Sequence, residues 1–170
     1  MTTKKNSKYI ASVLVLCGVF LSPQGAAAAS KMTVNPKPIS TAEVVRMYQD
    51  KTWTWATGGG RFLSENRKFV AVTEENGKQS LGEGKWTVDD RGTLCMRATW
   101  SSGKSAAKAN TCFQHGKIGN VIYQRRQNGG KWYVFRNDPL KPTDEFAKLV
   151  PLDNVTTKAT ALKQMQMSKK

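Results

Sequence analysis

Thr93-Leu94-Cys95-Met96-Arg97-Ala98-Thr99-Trp100 alternates without a break. Leu94, Met96, Ala98 and Trp100 fall on one side, and Cys95, Arg97 and Thr99 on the other. A period of two with one apolar side is the pattern of a strand that buries a single face. The same grammar extends in both directions. Upstream, Thr52-Trp53-Thr54-Trp55 puts both tryptophans on one face, and Gly58-Gly59-Gly60 breaks the run. Residues 61–63, 68–74 and 84–88 read as further strands. Asn76-Gly77 is a hairpin signal, and Asp89-Asp90-Arg91-Gly92 is a turn. Downstream, residues 101–109 (SSGKSAAKA) read as a flexible loop. Residues 110–115 and 120–127 follow as strands, and Asn128-Gly129-Gly130 turns the chain into 131–136. Eight short strands separated by glycine or Asx turns predict a mainly β fold, a small antiparallel meander barrel of calycin-like type. The interior of so small a barrel is either filled by side chains or holds one small ligand.

The flanks are different. Residues 30–40 carry two prolines and read as an extended leader. Ser40-Thr41-Ala42-Glu43 is a capping box that starts a short helix over 41–50, with Val44, Val45, Met47 and Tyr48 as its apolar stripe. The barrel-like domain is expected over 41–150, with a helical turn or two within 143–150. Residues 151–170 read as a basic, flexible tail, with 155–170 either a frayed amphipathic helix or disordered.

The first 29 residues read as a signal peptide. Lys4, Lys5 and Lys8 precede an apolar run from Ile10 to Leu21, and Ala26-Ala27-Ala28-Ala29 supplies the small-residue cleavage signal. The apolar run is about a dozen residues, short of the roughly 20 that span a bilayer as a helix. The mature chain is expected to lack a transmembrane segment and to work in the periplasm or outside the cell. The full chain holds 27 Lys+Arg and 12 Asp+Glu; without the three leader lysines the balance is 24 to 12, a net +12. That excess favours an anionic partner. After export this means an anionic lipid head group, lipopolysaccharide or an acidic glycan, or an acidic envelope or host protein, rather than nucleic acid. Cys17 leaves with the leader. Cys95 and Cys112 are expected to pair, closing a loop of about 17 residues worth roughly 3 kcal/mol in the chain-entropy account. One histidine and no Cys-x-x-Cys spacing offer no metal site, and no cofactor motif is present.

Taken in order, Lys51-Thr52-Trp53-Thr54-Trp55, Gly58-Gly59-Gly60-x-Phe62, Gly82-x-Gly84-Lys85-Trp86, Leu94-Cys95, Ala98-x-Trp100, Thr111-Cys112-Phe113-x-His115, Ile122-Tyr123-Gln124-Arg125-Arg126 and Trp132-Tyr133-Val134-Phe135 make a combined pattern. It resembles an exported alphaproteobacterial (rhizobial-type) family of unknown function, the DUF995 group, over about residues 41–150. The resemblance implies a Gram-negative envelope setting and supplies no activity. Lipocalin-type barrels offer an analogy of architecture only, because Lys51 stands where their opening Gly-x-Trp glycine would be.

Catalytic signatures are missing. Gly103-Lys104-Ser105 echoes the end of a P-loop, but the required earlier glycine is Ala98. The pairs Glu74-Glu75 and Asp89-Asp90 belong to turns. His115, the only imidazole, has no partner at a spacing that builds a nucleophile–base pair. The suggestive feature is the mixture of aromatics and arginines on strands. Arg125 and Arg126 are neighbours and must point to opposite faces, so one of them faces inward. A buried, unpaired charge is costly, and a guanidinium suits carboxylate and phosphate. The candidate ligand-binding residues are therefore Arg125, Arg126, Arg97, Trp53, Trp55 and Tyr123. The competing account pairs the inward arginine with an acid such as Glu83 and leaves the tryptophans as core. Three functions compete: a non-catalytic binding protein for an anionic amphipathic ligand or acidic envelope glycan; an interaction module or secreted effector on a filled scaffold; and an enzyme with an unrecognised site. A cavity of a few hundred Å³ lined by Trp and Arg would favour the first.

Overall fold

The structure, a computed structural model, describes residues 34–168. The expected signal peptide and the start of the leader lie outside these residues. Strand β1 (Lys37–Pro38) leads into helix α1 (Thr41–Tyr48). The Ser40 side chain accepts from the Glu43 backbone N–H at 3.2 Å, one half of the anticipated capping box. The Glu43 carboxylate pairs instead with Lys117 Nζ at 3.5 Å. Val44, Met47 and Tyr48 are the buried stripe of the helix.

Eight strands then follow as a meander: β2 (Lys51–Trp55), β3 (Gly58–Phe62), β4 (Lys68–Glu75), β5 (Lys78–Val88), β6 (Thr93–Ser102), β7 (Ser105–Ile118), β8 (Val121–Arg126) and β9 (Tyr133–Arg136). Each pairs antiparallel with the next. A short β10 (Leu149–Val150) returns to pair with β2, and β1 pairs with β7, which gives a ten-stranded sheet. The sheet curls into a half-barrel. The first and last strands of the meander, β2 and β9, are joined through the segment before β10 rather than by a ladder. A 3-10 turn at Glu145–Lys148 packs there, and Phe146 meets Phe135 edge-on at 5.7 Å.

The alternation read from the sequence sets the two faces. Trp53, Phe62, Phe69, Trp86, Leu94, Met96, Ala98, Ile122 and Phe135 form the inner core with Val44, Met47 and Tyr48 from α1. Cys95 and Cys112 are direct partners on the outer face of β6 and β7, and they form the disulfide at a sequence separation of 17. At Asn76-Gly77 both residues have positive φ, 52° and 71°, as a tight two-residue hairpin turn requires.

Two segments differ from expectation. Gly58-Gly59-Gly60 does not break the sheet; all three residues pair, opposite Thr73, Val72 and Ala71. Residues 101–109 are not a loop, because β6 and β7 run on to Ser102 and Ser105 and turn tightly at Gly103-Lys104. Alanine, lysine and serine mask these strand ends because both faces there are largely exposed. Within the expected tail the helical alternative holds over the described residues: 156–167 make helix α2 (Thr156–Met167). Val155, Ala159 and Leu162 pack on Val70 and Leu81 of the outer face. The Asp153 carboxylate caps α2 by accepting from the backbone N–H groups of Val155 and Thr156 and from the Thr156 hydroxyl. Helix propensity alone says little about so polar a stretch; a small apolar outer patch decides it.

Candidate functional site

The hollow of the half-barrel comes from missing side chains. Gly60, Ala71 and Gly82 are consecutive cross-strand partners on the inner face, and the next partner in the row is Trp100. Aromatic rings lie over the small residues. A Cβ at Gly82 would meet the Trp100 indole at 3.1 Å, and one at Gly60 would press on Phe69 and Trp55. The result is an open cleft of about 400 Å³, lined chiefly by Trp53, Trp55, Phe69, Trp100 and Phe113. Thr73, Thr111, Glu75, Glu145 and Arg126 supply its polar groups.

The charges in the cleft are unequal in what they offer. Glu145 Oε1 accepts from Trp53 Nε1 at 2.8 Å, and its Oε2 holds Lys148 Nζ at 2.7 Å. Glu75 faces Lys78 directly across the hairpin. Glu145 thus has a cation and a donor of its own, whereas Glu75 is exposed and, among the described residues, has no cation within 4.0 Å. Arg126 is exposed and, among the described residues, has no carboxylate within 4.0 Å. Among the described residues it is the one cation of the cleft lining.

The six candidates divide by face. Trp53, Trp55 and Arg126 come together at the cleft. Arg125, Arg97 and Tyr123 do not, because strand parity turns them outward. Arg125 donates from Nε and Nη2 to Gln114 Oε1 at 2.9 and 2.7 Å and stacks over Trp132. Arg97 is exposed beside Lys85, its cross-strand partner. Glu83, the suggested acid for an inward arginine, lies on the outer face and takes Lys163 of α2 at 3.0 Å. Trp100 and Phe113 escaped the sequence-based choice of site. Their signal was the alternate glycines of β3 and β5, which leave space that only rings on neighbouring strands line.

Beneath the cleft is a buried polar chain. His115 Nδ1 lies 3.0 Å from the Gly92 carbonyl, an acceptor only, so that nitrogen carries the proton. Nε2 then accepts from the Tyr48 hydroxyl at 2.9 Å, with Gln124 Nε2 at 2.7 Å. Gln124 Nε2 also donates to Tyr48, and Tyr133 donates to Gln124 Oε1. Burial lowers the His115 pKa to about 4, against the pull of the Gly92 carbonyl. Burial, with the Glu145 carboxylate adding to it, pushes Tyr133 up to about 12. The imidazole is neutral, saturated and closed off, so it is placed to hold the fold together. Among the described residues no three His, Cys, Asp or Glu side chains gather as metal ligands, and no helix is long and apolar enough to cross a membrane.

Over residues 15–155 the chain matches the profile of a family described as "Protein of unknown function (DUF995)". The chain belongs to that family. No curated protein and no solved structure matches it. The DUF995 match spans α1, the whole meander and the segment that carries Glu145 and Phe146, so the cleft lies entirely within the family domain.

Proposed function

We propose that this DUF995 protein is an exported, non-catalytic binding protein of the periplasm or extracellular space, and that its cleft takes a small anionic amphipathic molecule. The carrying observation is the pairing of an aromatic slot of about 400 Å³ with Arg126, a cation that among the described residues has no carboxylate within 4.0 Å. An apolar body would lie among Trp53, Trp55, Trp100 and Phe113, and its anionic group would meet Arg126. Open, mostly apolar clefts with a few polar groups are the usual form of small-ligand sites, and a guanidinium fits carboxylate or phosphate in two-pronged fashion. The leader-like first 29 residues and the disulfide support export, since such bonds persist in oxidising compartments. The saturated, buried state of His115 supports binding over catalysis, because that imidazole is closed to a substrate.

Titration with dodecanoate, followed by tryptophan fluorescence, tests the proposal. Arg126→Gln and Trp55→Ala are each expected to weaken binding by about tenfold or more, the loss of one anchor at a hot spot. Arg125→Gln, on the other face, is expected to bind as the parent does. Equal effects of the two arginine substitutions, or no saturable signal with dodecanoate or dodecyl phosphate, would overturn it.

A further inference from the structure

The outer face of the same sheet carries a row of like charges. Lys68 of β4 is the direct partner of Lys85 of β5, and Lys85 is the direct partner of Arg97 of β6. All three are exposed. Strands lie about 4.8 Å apart, so the three cations follow one another over roughly 10 Å along a line across the strands. Asn110 of β7 continues the row opposite Arg97, and Lys108 lies two residues away on the same face. Like charges placed directly opposite each other destabilise a sheet. Among the described residues none of Lys68, Lys85, Arg97 and Lys108 has a carboxylate within 4.0 Å. The acid on this stretch of β5, Glu83, is held by Lys163.

We propose that this outer face of β4, β5 and β6 docks a linear acidic polysaccharide, with Lys68, Lys85 and Arg97 as the contact row. A chain with one carboxylate per sugar repeats its charge at about the spacing at which the sheet repeats its cations, so one strand of polymer laid across the sheet engages the whole row. A bilayer surface fits less well. Among the described residues the large exposed hydrophobic side chains are Val34, Ile118, Tyr133, Val134, Leu140, Leu152, Met165 and Met167, and β4, β5 and β6 contribute none of them. A lipid-docking face is expected to offer apolar side chains among its cations. The surface is separate from the cleft, so the two proposals stand or fall independently.

The test uses the full mature protein and polygalacturonate, by affinity electrophoresis over a series of salt concentrations. K68Q/K85Q/R97Q is expected to lose affinity by at least about tenfold and to show a shallower salt dependence. Its melting temperature is expected to stay level or rise, because cross-strand repulsion is relieved. K104Q/K141Q/K158Q, with the same change in net charge at other exposed sites, is expected to bind within about twofold of the parent. Arg126→Gln should also bind polygalacturonate as the parent does. Equal loss in the two triple variants would overturn the proposal, as would no retardation of the parent. So would tighter binding of the parent to phosphatidylglycerol vesicles than to polygalacturonate, with that binding lost in the row variant.

Discussion

His115 is the residue whose environment has the clearest consequence. Its ring is fully buried, and its pKa lies near 4 against an ordinary 6.5. Between those two values the unfolded chain binds a proton that the folded chain refuses. Stability therefore falls as pH drops from about 6.5 to about 4, and the loss is complete below 4. The shift corresponds to roughly 3 kcal/mol across that window. Urea melts at pH 7, 5.5 and 4.5 should show this slope, and His115→Gln should flatten it even though the variant starts less stable. An identical slope in both proteins would move the titration elsewhere. The carboxylates held below their ordinary range, Asp50 by the Ser64 backbone donor foremost, lose their contribution only at more acid pH. The sequence showed one isolated imidazole with no nucleophile–base spacing around it. It did not show Tyr48 and Gln124 as its partners, because they lie 67 and 9 residues away.

At the level of the elements, alternation made the faces legible. Leu94, Met96, Ala98 and Trp100 are inward as the period demands, and Asn76-Gly77 turns where its φ preferences say it should. Arginine parity was legible too: one of Arg125 and Arg126 had to face the hollow, and it is Arg126. Which one depends on pairing with Phe113 and Gln114, and single-strand patterns do not carry register. The glycines were misread because their role is between strands. At Gly84 a Cβ would land on the Arg97 carbonyl and the Ala98 backbone, and at Gly58 on the backbone of Val72 and Thr73. These are points of close strand approach, where glycine lets a sheet curl. Gly84→Ala should accordingly cost about 3 kcal/mol, the upper range for overpacking. Gly77→Ala, which meets nothing within 4 Å but keeps φ at +71°, should cost only about 1 kcal/mol. Urea midpoints of the two variants decide this; equal losses would mean that the strands can move apart to accept a methyl group.

For the whole molecule, the open question of a filled or hollow barrel resolves into a half-barrel with a seam. The β9 edge has no strand partner beyond it in the sheet order. What holds it to β2 is the returning segment: β10 pairs with β2, Glu145 takes the Trp53 indole N–H, and Phe146 packs on Phe135 with Lys51 and Arg136 over its ring. That segment both closes the fold and forms one wall of the cleft. Phe146→Ala removes the ring that joins the two edges, so its damage should be uneven. The expected loss is about 2 kcal/mol, below the range for a fully buried phenylalanine because Phe146 is only partly buried. Hydrogen exchange should locate that loss. Amides of β9 and β10 should exchange faster, while the central ladders of β5, β6 and β7, the last two tied by the disulfide, keep their protection. The same substitution should weaken dodecanoate binding more than polygalacturonate binding, since the outer cation row lies on β4, β5 and β6, on the face of the sheet opposite the cleft. Uniform loss of protection across all strands would show instead that seam and meander unfold as one unit, with the half-barrel unable to persist once its edge is released.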